Sequence, residues 1–184
     1  MTYPDKTCYP VASCNDQDFQ NLMHVYLDAV FTRTFIRRRR FSARRAGNYQ
    51  FLEQKEGPLT YNGVVYNEMK GAFSSPDEVL DREIMNNLFP DNTYGVESGG
   101  NPENIPELSY EEFLDFHRTY YHPSNSYIYL YGNMDMEEKL RFIDEKYLSA
   151  FEALDVDSSI KEQAAFSQVK DLQIEYPIAE NEEE

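Results

Sequence analysis

The 184-residue sequence has no tryptophan, only two cysteines and three histidines, and about half as many basic as acidic side chains, 17 against 33. Cys8 and Cys14 are six apart, with His24 the nearest histidine. That spacing matches no common zinc or redox motif, so both are expected to be free, partly buried thiols. No apolar run approaches the roughly 18 to 20 residues that cross a bilayer, and the start lacks a basic-then-apolar signal pattern, so no membrane partner is expected and the cytoplasm is the default compartment. The net charge of −16 argues against nucleic acid and favours cationic partners such as basic peptides. What the chain does have is 15 tyrosines and 12 phenylalanines within a 41% hydrophobic composition, which indicates a folded protein of one-domain size.

The periodicity supplies a chain of elements. TCYPVAS (Thr7–Ser13) reads as an edge strand or extended segment because it contains a proline. Asn15 is an N-cap, and Phe19, Leu22, Met23, Tyr26 and Val30 form the apolar stripe of a helix over 16–31. GVVYNEMKGAF runs from a β-rich stretch at Val64–Tyr66 into a helix. Pro76 then interrupts it, or opens another with Val79, Leu80, Ile84, Met85 and Leu88 inward. Residues 90–108 are Gly/Pro/Asn-rich loop, and SYEE (Ser109–Glu112) is a capping box that opens a helix through Phe113, Phe116 and Tyr120. SYIYLYG alternates Tyr127, Tyr129 and Tyr131 against Ile128 and Leu130 as a strand does. A last helix begins at Asp135, with Leu140, Phe142, Ile143, Tyr147, Leu148 and Phe151 apolar. From 152 the composition turns polar, and DLQIEYPIA alternates again before ENEEE.

Residues for chemistry are few. His117 and His122 are five apart, which puts them about 140° apart on a helix, whereas a zinc pair needs i and i+4. They are expected to be structural, and His24 to be a surface or boundary histidine. No G-x-S-x-G elbow occurs, and SGGNP lacks the strand and spacing of a phosphate loop. Glu68, in NEMKG, follows an apolar stretch with few charged neighbours, a setting in which a carboxylate needs a lysine, backbone N–H groups or a metal.

Five ordered blocks extend this reading: MTYPDKTCYPVAS, DFQNLMHVYLDAVF, GVVYNEMKGAFSSPDEVL, NTYGVESGGNPENIPELSYEEFLDFHRTYYHPSN and YLYGN. Together they resemble the presequence protease branch of the pitrilysin/insulinase family of inverted-motif zinc metallopeptidases. The resemblance covers nearly everything except 32–47. It implies an α+β fold with helices packed on an antiparallel or mixed sheet, a partial peptidase domain over 1–151, and a linker entering a following domain over 152–184. It also implies zinc in the full-length parent, with Glu68 as the third metal ligand after two histidines of an H-x-x-E-H motif. That motif and its general-base Glu are absent here, so no catalytic residue is assigned. The chain is then an interior piece of a peptidase that degrades unstructured peptides, inactive alone and completed by the parent's N- and C-terminal parts. The alternative is a non-catalytic peptide-binding or partner subunit of the same fold.

The departure from the family at 32–47 has its own explanation. FTRTFIRRRRFSARRAGNYQ (Phe31–Gln50) holds seven arginines and no acid, where the family carries an aromatic-Pro pair, a short acidic helix and QEGW. If the gene encodes CAG GAG GGC TGG there, preceded by a codon ending in GC, reading one base late gives GCC AGG AGG GCT GG. That is Ala43 to Gly47, and the same shift generates the preceding residues from a family-like block. The segment 32–47 is therefore read as a compensated frameshift.

Overall fold

The computed structural model describes residues 1–32, 48–51 and 59–176. In chain order its elements are α1 (Asp16–Phe31), β1 (Asn48–Phe51), β2 (Leu59–Asn62), α2 (Val64–Ala72), α3 (Pro76–Leu88), α4 (Tyr110–Tyr120) and α5 (Met136–Lys146), with short 3-10 turns between them. The arginines of the basic block and the acidic end lie outside the described residues, as does the segment 32–47 that is read above as a compensated frameshift, apart from Thr32. The chain divides into two compact units. One takes in Met1, Cys8–Ser42 and Leu108–Ser159, the other Thr2–Thr7, Ala43–Glu107 and Ile160–Glu184, as far as these are described.

In the first unit, local chemistry sets the helix starts. Asn15 Oδ1 accepts from the Asp18 N–H at 2.9 Å, and Asp16 and Asp18 place negative charge in the first turn, where the helix dipole favours it. Ser109 and Glu112 close a reciprocal capping box on α4, and Asp135 caps α5 through the Glu138 N–H. The buried side chains are Met23 and Phe31 from α1, with Lys139, Ile143 and Tyr147 from α5 and its end. Phe31 meets Phe151 edge-on at 6.3 Å between ring centroids.

In the second unit, β1 and β2 pair antiparallel, from Asn48 opposite Asn62 to Phe51 opposite Leu59. Gly63, in extended backbone, turns the chain into α2, and Pro76 stands at the first position of α3, where its missing N–H costs no hydrogen bond. Met69, Val79 and Ile105 are its buried apolar residues. The Thr93 hydroxyl donates to the Pro4 carbonyl, and the Tyr94 hydroxyl donates to Asp5 at 3.2 Å, tying the first residues to the loop after α3.

Several sequence expectations are corrected. The β-rich stretch Val64–Tyr66 is the first turn of α2, because the ladder already ends at Asn62. Among the described residues Thr7 makes only an isolated bridge to Thr2, and Cys8–Ser13 forms no ladder. Residues 126–131 and 171–176 likewise form none. Of the α3 stripe only Val79 is buried, while Leu80, Ile84, Met85 and Leu88 are exposed, as are Tyr26, Phe113, Phe116, Tyr120 and Leu140 elsewhere. Periodicity identifies the apolar side of a helix, but burial also needs a surface facing that side. Among the described residues no helix is long and apolar enough to cross a membrane.

Candidate functional site

Glu68 lies in the middle of α2, one residue before the buried Met69. Successive helical residues are about 100° apart, so with Met69 turned inward Glu68 faces solvent, and it is exposed. Met69 is held by close packing: a Cβ added to Gly99 would overlap its sulfur. The N-terminal end of α2 is anchored by the Asn67 side-chain amide, which donates to Asn62 Oδ1 at 2.7 Å, and by Tyr66 against Tyr61 at 4.8 Å between centroids. Glu68 itself makes no hydrogen bond or ion pair among the described residues. Its exposure means that the setting read from the sequence does not oblige a partner within the protein.

A zinc site takes about four ligands. Among the described residues no three His, Cys, Asp or Glu side chains are grouped to hold a metal. The described residues do not fit a complete zinc site, and among them Glu68 can serve as one ligand at most.

Each histidine is engaged separately in the first unit. His117 Nε2 lies 3.0 Å from the Val30 carbonyl oxygen, and its ring stacks on Tyr121 at 4.6 Å. His122 Nδ1 accepts from the Ser124 N–H at 3.2 Å, which leaves the proton of the neutral ring on Nε2. His122 also lines an open cavity of about 450 Å³ with Ser126, Ile128, Leu148, Phe151 and Glu152. His24 is exposed but bonded to the buried Tyr147, a role that spacing gives no sign of. Burial and the negative charge of Asp28 push the Tyr147 phenol above its ordinary value. Lys139 is 1% exposed, with its ammonium 3.0 Å from Asp16. It stands four and eight residues before the buried Ile143 and Tyr147, a spacing that marks a shared face without fixing its burial. Cys8 is half-buried and Cys14 exposed, both as free thiols.

In the second unit a groove of about 170 Å³ between α3 and the following loop carries Glu78, Asp81 and Glu97 beside Arg82. Arg82 is already committed, stacked over the Phe73 ring at 4.0 Å and paired with Glu83 at 3.3 Å.

A model of the M16 peptidase inactive domain matches residues 107–184, which include α4, α5 and the polar segment after 152. Protein HypA of Clostridium perfringens is 55% identical over 183 residues, all of this chain and 19% of that protein. Presequence protease 1 of Arabidopsis thaliana, chloroplastic/mitochondrial, is 48% identical over 179 residues, 96% of this chain and 16% of that protein. The mitochondrial presequence protease of Drosophila melanogaster is 44% identical over 160 residues, 81% of this chain and 14% of that protein. The chain thus spans less than a fifth of the length of these relatives.

Proposed function

Because this chain belongs to the M16 peptidases, in their presequence protease branch, we propose that its 184 residues are part of a zinc metalloendopeptidase that degrades unstructured peptides, and that they hydrolyse nothing by themselves. The observation that carries this reading is the 48% identity to a presequence protease along 96% of the chain. Glu68 is the zinc ligand this part contributes. Its carboxylate, exposed on a well-anchored helix, is free to accept a bond from outside. The remaining ligands and the general base are supplied by other parts of the parent, which are also the chain's first partners.

In the assembled parent, the helices described here cover an antiparallel or mixed sheet within a domain that takes in 1–151, and 152–184 leads into the next domain. The peptide partners are basic ones, in keeping with a net charge of −16, and neither nucleic acid nor membrane is a partner. The cytoplasm is the proposed compartment. A second reading, a non-catalytic peptide-binding or partner subunit, is favoured by one observation: the matching family model is that of an inactive domain.

The experiment is zinc content and peptide hydrolysis of the 184-residue chain, and of the longer parent with and without Glu68→Gln. The short chain is expected to be inactive, and the parent to lose zinc and activity on substitution. Hydrolysis by the short chain would sink the proposal, and full zinc in the variant would remove Glu68 from the site. A parent that never binds zinc would favour the second reading.

A further inference from the structure

SGGNP (Ser98–Pro102), which lacks the spacing of a phosphate loop, has another place in the second unit: α2 rests on it. Among the described residues Met69 is the one buried side chain of α2. Its thioether lies against Gly99, where an added Cβ would overlap Sδ and stand 2.9 Å from Cε. The loop beneath is closed on itself. Gly100 donates its N–H to the Glu97 carbonyl at 3.0 Å, Asn101 Oδ1 accepts from the Glu103 N–H at 2.8 Å, and the Asn101 carbonyl accepts from the Ile105 N–H at 2.9 Å. Gly100 has φ 90°, which favours glycine, and a Cβ there would stand 3.3 Å from Cγ1 of Ile105, itself 4% exposed. The two glycines thus differ in use: Gly100 makes the turn, and Gly99 leaves room for Met69.

Glu68 is bracketed by attachments of α2. Before it, the Asn67–Asn62 bond and the Tyr66–Tyr61 ring pair tie the helix to β2. After it, Met69 on Gly99 fixes the rotation of the helix about its own axis. A carboxylate at the outer radius of a helix, about 5 to 6 Å from the axis, moves roughly 2 Å for a rotation of about 20°. Functional side chains have to be held within about 0.5 Å and 10 to 20°. We infer that Gly99 is a positioning residue, which through Met69 sets the direction in which Glu68 presents its carboxylate. That this carboxylate serves zinc rests on the proposed function above, whereas the seat of Met69 on Gly99 does not.

The test compares Gly99→Ala, Met69→Val and the two combined, in a metal-free arm and a zinc arm. Gly99→Ala pushes a methyl into the thioether, Met69→Val removes Sδ and Cε and leaves a gap, and the combination fills that gap from the other side. In the 184-residue chain, residual dipolar couplings of the backbone amides should show α2 turned by at least about 10° against α3 in each single variant, and by less in the combination. In the longer parent, zinc affinity by chelator competition should fall about tenfold or more in each single variant, as when residues behind a ligand are changed, and recover in the combination. Gly95→Ala, whose Cβ meets the Phe89 carbonyl, controls for plain destabilisation: it should melt at least as early as Gly99→Ala and keep the parent's zinc affinity. An α2 that does not turn in Gly99→Ala, or in Met69→Val where Gly99→Ala fails to fold, overturns the inference. So does full zinc affinity in the single variants while Glu68→Gln loses zinc, and so does an equal loss in Gly95→Ala. Full zinc in Glu68→Gln together with a turned α2 would instead fail the proposed function and leave the seat of Glu68 standing.

Discussion

The Tyr147 hydroxyl oxygen lies 2.5 Å from His24 Nδ1 and 2.9 Å from the His24 carbonyl oxygen. Its single proton can serve only one of them. Both contacts are hydrogen bonds when His24 Nδ1–H donates to the phenol and the phenol donates to the carbonyl. A buried ring just past α5 thereby clamps the middle of α1.

Tyr147→Phe should keep the ring and lose the clamp, lowering stability by about 1 to 2 kcal/mol in denaturant unfolding near pH 8. The His24→Ala double mutant should lose less than the two single losses together, because both act on one bond pair. The phenol is raised in the folded state, first by burial and then by Asp28. Its contribution is therefore full below the unfolded tyrosine value near 10 and falls as pH rises through the higher folded value. Unfolding measured from pH 8 to 11 should show this alkaline loss in the parent chain and less of it in Tyr147→Phe. Identical alkaline slopes would contradict the assignment.

The pair Lys139–Asp16 should respond asymmetrically, since the ammonium is 1% exposed and the carboxylate side 72% exposed. Asp16→Ala leaves the buried ammonium only the longer pair with Glu138 at 3.8 Å and should cost about 2 to 3 kcal/mol, at or below the lower end for breaking a buried pair. Lys139→Met keeps the apolar stem and returns Asp16 to water, at a cost under about 1.5 kcal/mol. Equal costs in chemical unfolding would show that the ammonium reaches solvent.

Two glycines of the second unit should differ in tolerance. A Cβ on Gly99 meets the movable thioether of Met69, whereas one on Gly95 meets the backbone carbonyl of Phe89. Gly99→Ala is expected to cost about 1 to 3 kcal/mol, and Gly95→Ala more, because a backbone oxygen cannot rotate aside. Thermal melts of the two variants side by side check the order.

The α4 cap should be visible in acid. Hydrogen bonds from the Ser109 backbone and side chain hold the Glu112 carboxyl below its usual range. Its support of the helix is full above the ordinary carboxylate value and is lost as pH falls through the lower folded one. Helicity by circular dichroism should thus fall in acid in the parent chain and change less in Glu112→Gln. Ser109→Ala should cost about 1 kcal/mol at neutral pH.

Resequencing the gene should reveal two compensating one-base changes flanking codons 32 to 47. Restoring the family-like block would replace a local charge of +7 by −1 and take the chain from −16 to about −24. Close relatives that keep four successive arginines at 37–40 would end that reading.

Much of the local structure was legible because its causes are local. Asn15, Ser109 and Asp135 each accept from the amide three residues ahead, so the starts of α1, α4 and α5 follow from a few neighbouring residues. Pro76 opens α3 for the same kind of reason. Val64–Tyr66 was misread because β-branched residues suit a strand interior and a first helical turn alike, and the deciding fact, a ladder ending at Asn62, belongs to pairing with β1. Glu68 was singled out as a candidate ligand by its setting and by resemblance, but its exposure came from the inward turn of Met69 against Gly99.

The sequence by itself determined the family and the capped helices, since these rest on identity and short-range hydrogen bonding; of the thiols it expected partly buried, Cys14 is exposed. Only the tertiary structure decided that Val79 is buried while Leu80 and Ile84 stay in water, that Lys139 is enclosed, and that His24 meets Tyr147 across 123 residues. Burial and long-range bonds depend on what faces a side chain, and amphipathic periodicity marks a face without naming its neighbour.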